Sequence, residues 1–233
     1  DLRSAFGNNL KAYYDHYRIN GYAEGRVATG STELQNPTTV YNGVDYKLVY
    51  DYNYYINKYP DIKAAFNGDE NTTLRHFVEC GMNEGRQGKA SFNVAAYRAN
   101  YADLRSAFGR NLKAYYMHYI GSGYREGRKA TGNGVLKNPV TVYNGVDYSL
   151  VYDYNYYISK YSDLKAAFYG DDTAALRHFV ECGMNEGRQA KDSFNVKKYK
   201  NRYNDLQNAF GNDLKSYYMH YIGSGYKEGR KGN

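Results

Sequence analysis

The chain has 233 residues, a formal charge of +7 and a negative mean hydropathy. It contains no apolar run of about twenty residues, which excludes a membrane-spanning helix. Since 31 residues are Tyr and none is Trp, we expect a core built largely from tyrosine rings.

The sequence repeats with a period of 102 residues and without insertion or deletion. Residues 1–102 recur as 103–204, and 205–233 begin a third copy. A shorter period lies inside it, because 50–86 matches 92–128 at a shift of 42 residues. Fixed internal periods of this kind predict an array of small modules that share buried surface.

We expect a mainly α fold, a tandem array of two-to-three-helix modules of about 42 residues with one short β-hairpin insertion per 102-residue repeat. Modules of type a carry Cys and Met near their ends, and modules of type b end in Gly-Ser-Gly-Tyr. The predicted segments are a partial module (1–26), a hairpin linker (27–49), type a (50–91), type b (92–128), a second linker (129–151), type a (152–193) and type b (194–233). The missing starting Met and signal peptide, together with the incomplete first module, predict a mature carboxy-terminal piece of a longer protein.

The linkers contain the clearest local signal. Thr39 to Tyr46, and again Thr141 to Tyr148, place Asn-Gly between two short alternating runs. A type I′ turn needs positive φ at both central residues, which Asn-Gly tolerates, so each linker predicts a β-hairpin.

Three short helices are predicted in a complete module. The first runs from about Tyr54 to Lys58, and Asp61 is expected to be the N-cap of a second, Ile62 to Phe66. The same capping place is held by Asp1, Asp103, Asp163 and Asp205.

The third helix shows helical periodicity. Leu112, Tyr115, Tyr116 and Tyr119 fall at i, i+3, i+4 and i+7 and form one apolar face. Gly123 is expected to end this helix in the left-handed conformation.

No arrangement typical of an enzyme is present, and we expect neither catalysis nor a cofactor. The sequence has no zinc-ligand spacing, calcium loop, nucleophile elbow or phosphate-binding loop. All histidines occupy one position of the module, which favours a packed or capping imidazole over a metal ligand: His16, His76, His118, His178 and His220.

The Glu-Gly-Arg endings allow two interpretations. Their arginines could grip carboxylates or phosphates of a polymer, or they could pair internally and lock adjoining modules. The arginines concerned are Arg86, Arg128, Arg188 and Arg230. Cys80 and Cys182 are interpreted as small buried residues, with an intermolecular disulfide as the alternative.

The tyrosines are the remaining candidates for ligand binding. Tyr52-Asn-Tyr54 and Tyr154-Asn-Tyr156 lie in segments with more aromatic residues than one helix face can bury. Some of these rings should face solvent beside Asp and Asn, where they could stack on sugars; the alternative is that they form the core between modules.

A resemblance supports the glycan interpretation. The run from Tyr143 to Ser149, followed by Tyr-Asp-Tyr-Asn-Tyr-Tyr-Ile-x-Lys-Tyr-x-Asp-Leu-Lys-Ala-Ala-Phe and His-Phe-Val-x-x-Gly-Met-x-Glu-Gly-Arg, resembles tandem helical repeats in carboxy-terminal regions of secreted or cell-wall-associated proteins of gut clostridia. Such repeats often accompany lysozyme-like glycoside hydrolases. The resemblance implies an extracellular location and a non-catalytic role in attachment to cell wall or glycan, but it supplies no assigned binding residues.

The expected partner is therefore cell-wall polysaccharide, peptidoglycan or another glycan. The positive charge also suits a polyanion such as teichoic acid. Nucleic acid is a weaker prediction, because the basic residues are spread evenly and no nucleic-acid-binding motif is present. A structural spacer, or an array that binds a host surface protein, remains the alternative from another class.

Overall fold

The structure is a computed structural model that describes residues 1–7, 9–30, 33–66 and 68–233. It is mainly helical, with short helices in repeated order and two small antiparallel hairpins. The predicted fold class is therefore confirmed. No helix in the described ranges is long and apolar enough to cross a membrane.

Each third helix of a module runs on into one turn of π-helix. The first elements are α1 (Leu2–Phe6), α2 (Leu10–His16), π1 (Tyr17–Gly21), β1 (Val40–Tyr41), β2 (Val44–Asp45), α3 (Tyr52–Lys58), α4 (Pro60–Phe66), α5 (Glu70–His76), π2 (Phe77–Gly81) and α6 (Val94–Asn100). They are followed by α7 (Ala102–Phe108), α8 (Leu112–His118), π3 (Tyr119–Gly123), β3 (Val142–Tyr143), β4 (Val146–Asp147), α9 (Tyr154–Lys160), α10 (Ser162–Phe168), α11 (Asp172–His178), π4 (Phe179–Gly183) and α12 (Val196–Arg202). The last are α13 (Asn204–Phe210), α14 (Leu214–His220) and π5 (Tyr221–Gly225).

The chain forms two compact units whose boundaries differ from those of the sequence modules. Unit 1 comprises Asp1–Val94 and Asn111–Thr131, and unit 2 comprises Ala95–Arg110 and Gly132–Asn233. The predicted module 92–128 therefore contributes to both units, with α8 in unit 1 and α7 in unit 2. The module boundaries describe the sequence repeat, whereas the units describe which residues contact one another.

Both predicted hairpins are present. In the first, Val40 pairs with Asp45 and Tyr41 with Val44. Asn42 and Gly43 have φ of 48° and 77°, as a type I′ turn requires. The second hairpin has the same register one repeat later.

The helix starts differ from the prediction in an informative way. Helix α3 begins at Tyr52, because the Asp51 carboxylate accepts a hydrogen bond of 2.8 Å from the amide of Tyr54. Helix α4 begins at Pro60, which is well suited to the first helical position, so Asp61 is not the N-cap. The equivalent Asp103, Asp163 and Asp205 also lie in first turns, and Asp1 alone of this set caps its helix within the described residues.

The apolar face of the third helix is confirmed, but its ending is not as predicted. Tyr115 and Tyr116 are fully buried, and Tyr119 is nearly so. Gly123 lies inside π3, and the left-handed glycine is Gly127, with φ of 68°. The equivalent Gly81 shows why Gly is required inside the π-helix: a Cβ there would lie 2.7 Å from Tyr55 Oη.

Helix π5 provides a test of this close approach. A Cβ on Gly225 would overlap Tyr199 Oη and lie 3.0 Å from His220 Nδ1. We expect Gly225→Ala to lower the free energy of unfolding by about 1–3 kcal/mol, as overpacking usually does. Gly223→Ala, in the same helix, meets no atom of the described residues within 4 Å and should be neutral or stabilising by up to about 1 kcal/mol. Equal effects of the two variants in urea unfolding would contradict this account.

Tyrosine dominates the core, as the composition predicts. Among the described residues, the twelve largest side chains with less than 2% exposure are all tyrosines, and fully buried phenylalanines such as Phe179 pack among them. In unit 2, the Phe179 ring packs on Tyr152 at 5.2 Å, on Tyr157 at 5.5 Å and on Tyr218 at 5.6 Å. Burial raises the pKa of Tyr154 to about 12, so the hydroxyl of this core tyrosine stays neutral well above physiological pH.

Candidate functional site

The Glu-Gly-Arg arginines are engaged in internal ion pairs. Arg188 Nη1 lies 2.9 Å from Asp163 Oδ2, its Nε donates to Glu186, and its guanidinium lies 4.9 Å from the centre of the Tyr161 ring. The same three partner types surround Arg86 and Arg230, and Arg128 pairs with Glu126.

These contacts favour internal pairing of the four arginines over the ligand-gripping interpretation. The acidic partners lie in the same module as each arginine, so these ion pairs do not link adjoining modules. Each arginine pairs with the glutamate two residues before it. Arg86, Arg188 and Arg230 also pair with a first-turn aspartate, which was predicted from the sequence to be an N-cap. The hydrogen bond from Arg230 lowers the pKa of Asp205 below its usual value, because the guanidinium stabilises the ionised carboxylate.

Tyr52 and Tyr154 are core residues, so the prediction that they face solvent is wrong. They are 1% and 2% exposed, because the first residue of α3 or α9 shares the buried face of that helix. Tyr154 Oη donates to the carbonyl of Phe168 at 3.0 Å and accepts from the amide of Gly170 at 2.6 Å. Their hydroxyls thus hold the turn between two helices.

Tyr54 and Tyr156 are half-buried and do have polar surroundings. Tyr54 lines an open groove of about 630 Å³ together with Asp51, Asn53, Asn57 and Lys58. Lys58 Nζ lies 2.9 Å from Tyr54 Oη and 5.2 Å from its ring centre, and Lys160 repeats this arrangement on Tyr156. Each ring therefore has one internal lysine partner already.

The most exposed recurrent rings belong to type b modules, among which we count the partial module 1–26 because it matches 103–128 one repeat later, and they were missed by sequence reasoning. Tyr22, Tyr124 and Tyr226 are 78%, 57% and 56% exposed. Each packs edge-on against the tyrosine five residues earlier, at 5.9–6.3 Å between ring centres. The same module position in type a holds Met82 or Met184, both fully buried.

The glycine of Glu-Gly-Arg explains this difference between module types. At Gly85 and Gly187 of type a, a Cβ would lie about 3 Å from Cδ1 of Leu112 in α8 or of Leu214 in α14. In type b no described atom lies within 4 Å of that position at Gly25, Gly127 or Gly229. A type a ending is thus covered by the third helix of the following type b module, whereas a type b ending is open. The Met-to-Tyr change at one module position was the available sequence signal.

The histidines are packed, as predicted. Tyr157 Oη lies 3.2 Å from His178 Nδ1, and the His178 ring is 5.2 Å from that of Phe168. His76 and His220 have the equivalent tyrosine partners. Within the described ranges no group of His, Cys, Asp and Glu could hold a metal ion.

The cysteines contradict their prediction. Cys80 and Cys182 are exposed and free, because Phe77, Val78 and Gly81 take the inward face of π2, with the same order in π4. The intermolecular disulfide remains an untested alternative.

A second candidate surface lies between the first hairpin and the helix packed beside it. In unit 1 it is an open groove of about 260 Å³ lined by Val40, Tyr41, Thr72 and Arg75. Tyr41 Oη donates to Glu79 at 2.5 Å, an interaction that raises the pKa of this tyrosine. The side chains of Arg75 and its equivalent Arg177 are exposed and have no ion pair or hydrogen bond with any group that the structure describes, so they are candidates for holding an anion.

Comparison with protein-family models, with curated proteins and with solved structures gives no match to this chain. The resemblance to clostridial repeats therefore stays a prediction, and the function has to be argued from the surfaces described above.

Proposed function

We propose that the chain is a non-catalytic, extracellular repeat region that binds a glycan polymer, such as cell-wall polysaccharide or peptidoglycan, through the exposed tyrosines of its type b modules. The observation that carries the proposal is the exposure of Tyr22, Tyr124 and Tyr226 at one module position where type a has a buried Met. Single exposed apolar residues are ordinary on protein surfaces. Recurrence at one position, with more than half of each side chain exposed, supports a binding role.

The geometry suits stacking on a sugar ring. Each exposed tyrosine is held from one side by an edge-on contact with Tyr17, Tyr119 or Tyr221, which limits its motion. An aromatic ring offers an apolar surface to the C–H groups of a pyranose, while its hydroxyl can bond to water or to a sugar hydroxyl. A polymer that engages several such rings at once gains avidity even when each contact is weak.

The grooves at Tyr54 and Tyr156 support the same proposal in a secondary role. Asn57 is exposed beside Tyr54, and the lysine on each ring could donate to sugar hydroxyls. These grooves lie in type a modules, so they would add sites of a second kind.

Replacing Tyr22, Tyr124 and Tyr226 together by Ala is expected to abolish sedimentation with purified peptidoglycan or whole walls. Each single variant should weaken binding about two- to tenfold, if a stacked ring contributes about 0.5–1.5 kcal/mol. The matched control is Tyr169→Ala, because Tyr169 is 52% exposed but does not lie at the recurrent position.

Circular dichroism should show that all variants keep the fold, because the three rings are exposed. Retention of the triple variant at the level of the original protein would contradict the assignment to these rings. If binding were instead lost in the Tyr54→Ala/Tyr156→Ala variant, the binding site would be assigned to the type a grooves. If the original protein binds neither walls nor a glycan array, the spacer or host-protein-binding alternative is favoured.

A second candidate function, binding of a polyanion such as teichoic acid, is favoured by Arg75 and Arg177. Both guanidinium groups are exposed, recur at equivalent positions and lie beside a hairpin tyrosine. Poly(glycerol phosphate) is a suitable probe, since arginines that neutralise its phosphates release the counter-ions held by the polymer.

Arg75→Gln/Arg177→Gln should weaken binding of this probe and reduce the slope of log affinity against log salt by about 1 per arginine lost. Arg18→Gln/Arg125→Gln changes the net charge equally at two other exposed arginines and serves as control. A salt response that is flat for the original protein, or equal for both double variants, would contradict a site at the hairpin grooves.

A further inference from the structure

Helix α2 differs from its two equivalents in burial but hardly in sequence. Leu10 and Tyr14 are 71% and 77% exposed, and α2 has no buried residue. In α8 and α14 the residues at the Tyr14 position, Tyr116 and Tyr218, have no exposed surface.

The two equivalent tyrosines are covered in the same way. Tyr116 Oη donates to the carbonyl of Arg86 at 2.9 Å, and its ring lies 5.9 Å from Phe77 and 5.0 Å from Phe92. In unit 2, Tyr218 Oη donates to the carbonyl of Arg188 at 2.9 Å, with its ring 5.6 Å from Phe179 and 5.2 Å from Phe194.

Two further contacts recur beside the tyrosine. The lysine after the helix's first leucine, Lys113 or Lys215, donates to the carbonyl of Val78 or Val180 at 2.9 and 3.0 Å. The leucines themselves pack against the glycine of the type a Glu-Gly-Arg ending. The covering surface in both cases consists mainly of the ending of the type a module, which presents a Phe-Val pair, a glycine and an arginine carbonyl. The first residue of the following type b module, Phe92 or Phe194, completes it.

Helix α2 carries the same residue at each of these positions, namely Leu10, Lys11 and Tyr14. We propose that these three residues form a docking surface for the ending of an additional type a module, joined to α1 in the way that residues 50–102 are joined to Asp103. Among the described residues Lys11 pairs with Asp15 at the surface, and its side chain is 84% exposed, so it is available for the carbonyl.

A second copy of the chain does not suit this surface. Both type a endings within the chain are already covered, by α8 in unit 1 and by α14 in unit 2. A second copy would have to break one of these interfaces in order to form another of the same kind, so association would gain nothing. The proposal concerns the array and does not depend on glycan binding.

The test fuses a copy of residues 50–102 to Asp1 of the full chain, so that the junction repeats the sequence at Ala102–Asp103. Hydrogen exchange of residues 10–16 is followed by mass spectrometry in the original and in the extended protein. We expect exchange in α2 to slow at least tenfold on extension and to approach that of residues 112–118. Tyr14→Ala in the extended protein should restore fast exchange in α2, whereas Tyr14→Phe, which removes only the hydroxyl, should restore it in part.

Unchanged exchange of residues 10–16 in the extended protein would overturn the proposal, and so would persistent protection in the Tyr14→Ala variant. The original protein is also followed over a range of concentrations by sedimentation and by exchange. Self-association that slows exchange of residues 10–16 would assign the surface to a second copy and would equally overturn the proposal.

Discussion

Tyr218→Ala is expected to destabilise unit 2 by about 3–5 kcal/mol, the usual cost of truncating a large buried aromatic side chain. Tyr218 has no exposed surface, packs on the rings of Phe179 and Phe194, and donates to the carbonyl of Arg188. The substitution removes all three contacts at once and leaves a cavity where the last helix meets the type a ending. Urea unfolding followed by circular dichroism would measure the loss.

The chain contains its own control for this substitution. Tyr14 occupies the same module position but is 77% exposed, so Tyr14→Ala should change the free energy of unfolding by no more than about 0.5 kcal/mol. A comparable loss in both variants would mean that the tyrosine stabilises its own helix and not the interface with the type a module.

Arg105→Ala should cost a similar amount, about 3–5 kcal/mol, through the loss of a buried ion pair. Arg105 Nη2 lies 3.2 Å from Asp172 Oδ2, and both side chains are less than 5% exposed. The guanidinium also donates to the carbonyls of Arg98, Ala99 and Lys137. Truncation therefore leaves a buried carboxylate and several carbonyls without their donor.

Two controls separate the buried charge from general loss of packing. Arg3, the equivalent of Arg105 in unit 1, pairs with Glu70, but its side chain is 33% exposed, so Arg3→Ala should cost no more than about 1 kcal/mol. Arg105→Ala/Asp172→Ala should cost less than the sum of its two single variants, because the unpaired charge is then absent. A small effect of Arg105→Ala, or strict additivity in the cycle, would contradict this account.

Together the two substitutions probe the joints of the array. Tyr218 belongs to the contact from a type a module to the following type b helix. Arg105 in α7 bonds to carbonyls of the second linker and pairs with Asp172 of the next type a module. All of these residues lie in unit 2, whose boundaries differ from those of the sequence modules. The third copy has Gln207 at the Arg105 position, and it bonds to the local carbonyl of Lys200.

Much of the fold could be predicted because it depends on local chemistry. Asn42-Gly43 specifies the turn through its φ preferences, and the spacing of Leu112, Tyr115, Tyr116 and Tyr119 specifies one buried face. The packed histidines were inferred from their recurrence without metal-ligand partners. In each case the information lies within a few residues of the chain.

The candidate sites were harder to predict, because exposure depends on what packs against a residue. Tyr52 and Tyr54 are two residues apart in one helix, yet one is core and the other lines a groove. The acidic partners of the Glu-Gly-Arg arginines could not be predicted from nearby sequence, because Asp163 lies twenty-five residues from its partner Arg188. Cys80 was expected to be buried, but the π-helix π2 places its side chain on the exposed face.

The sequence by itself determined the repeat, the hairpins, the helical modules and the reliance of the core on tyrosine, since periodicity and turn chemistry are written in the order of residues. The tertiary structure decided which tyrosines remain exposed, because the same module position is covered in type a and open in type b. The physical reason is that an interface buries a side chain only where a partner helix reaches it. Tyr14 and Tyr218, alike in sequence context, therefore differ completely in burial.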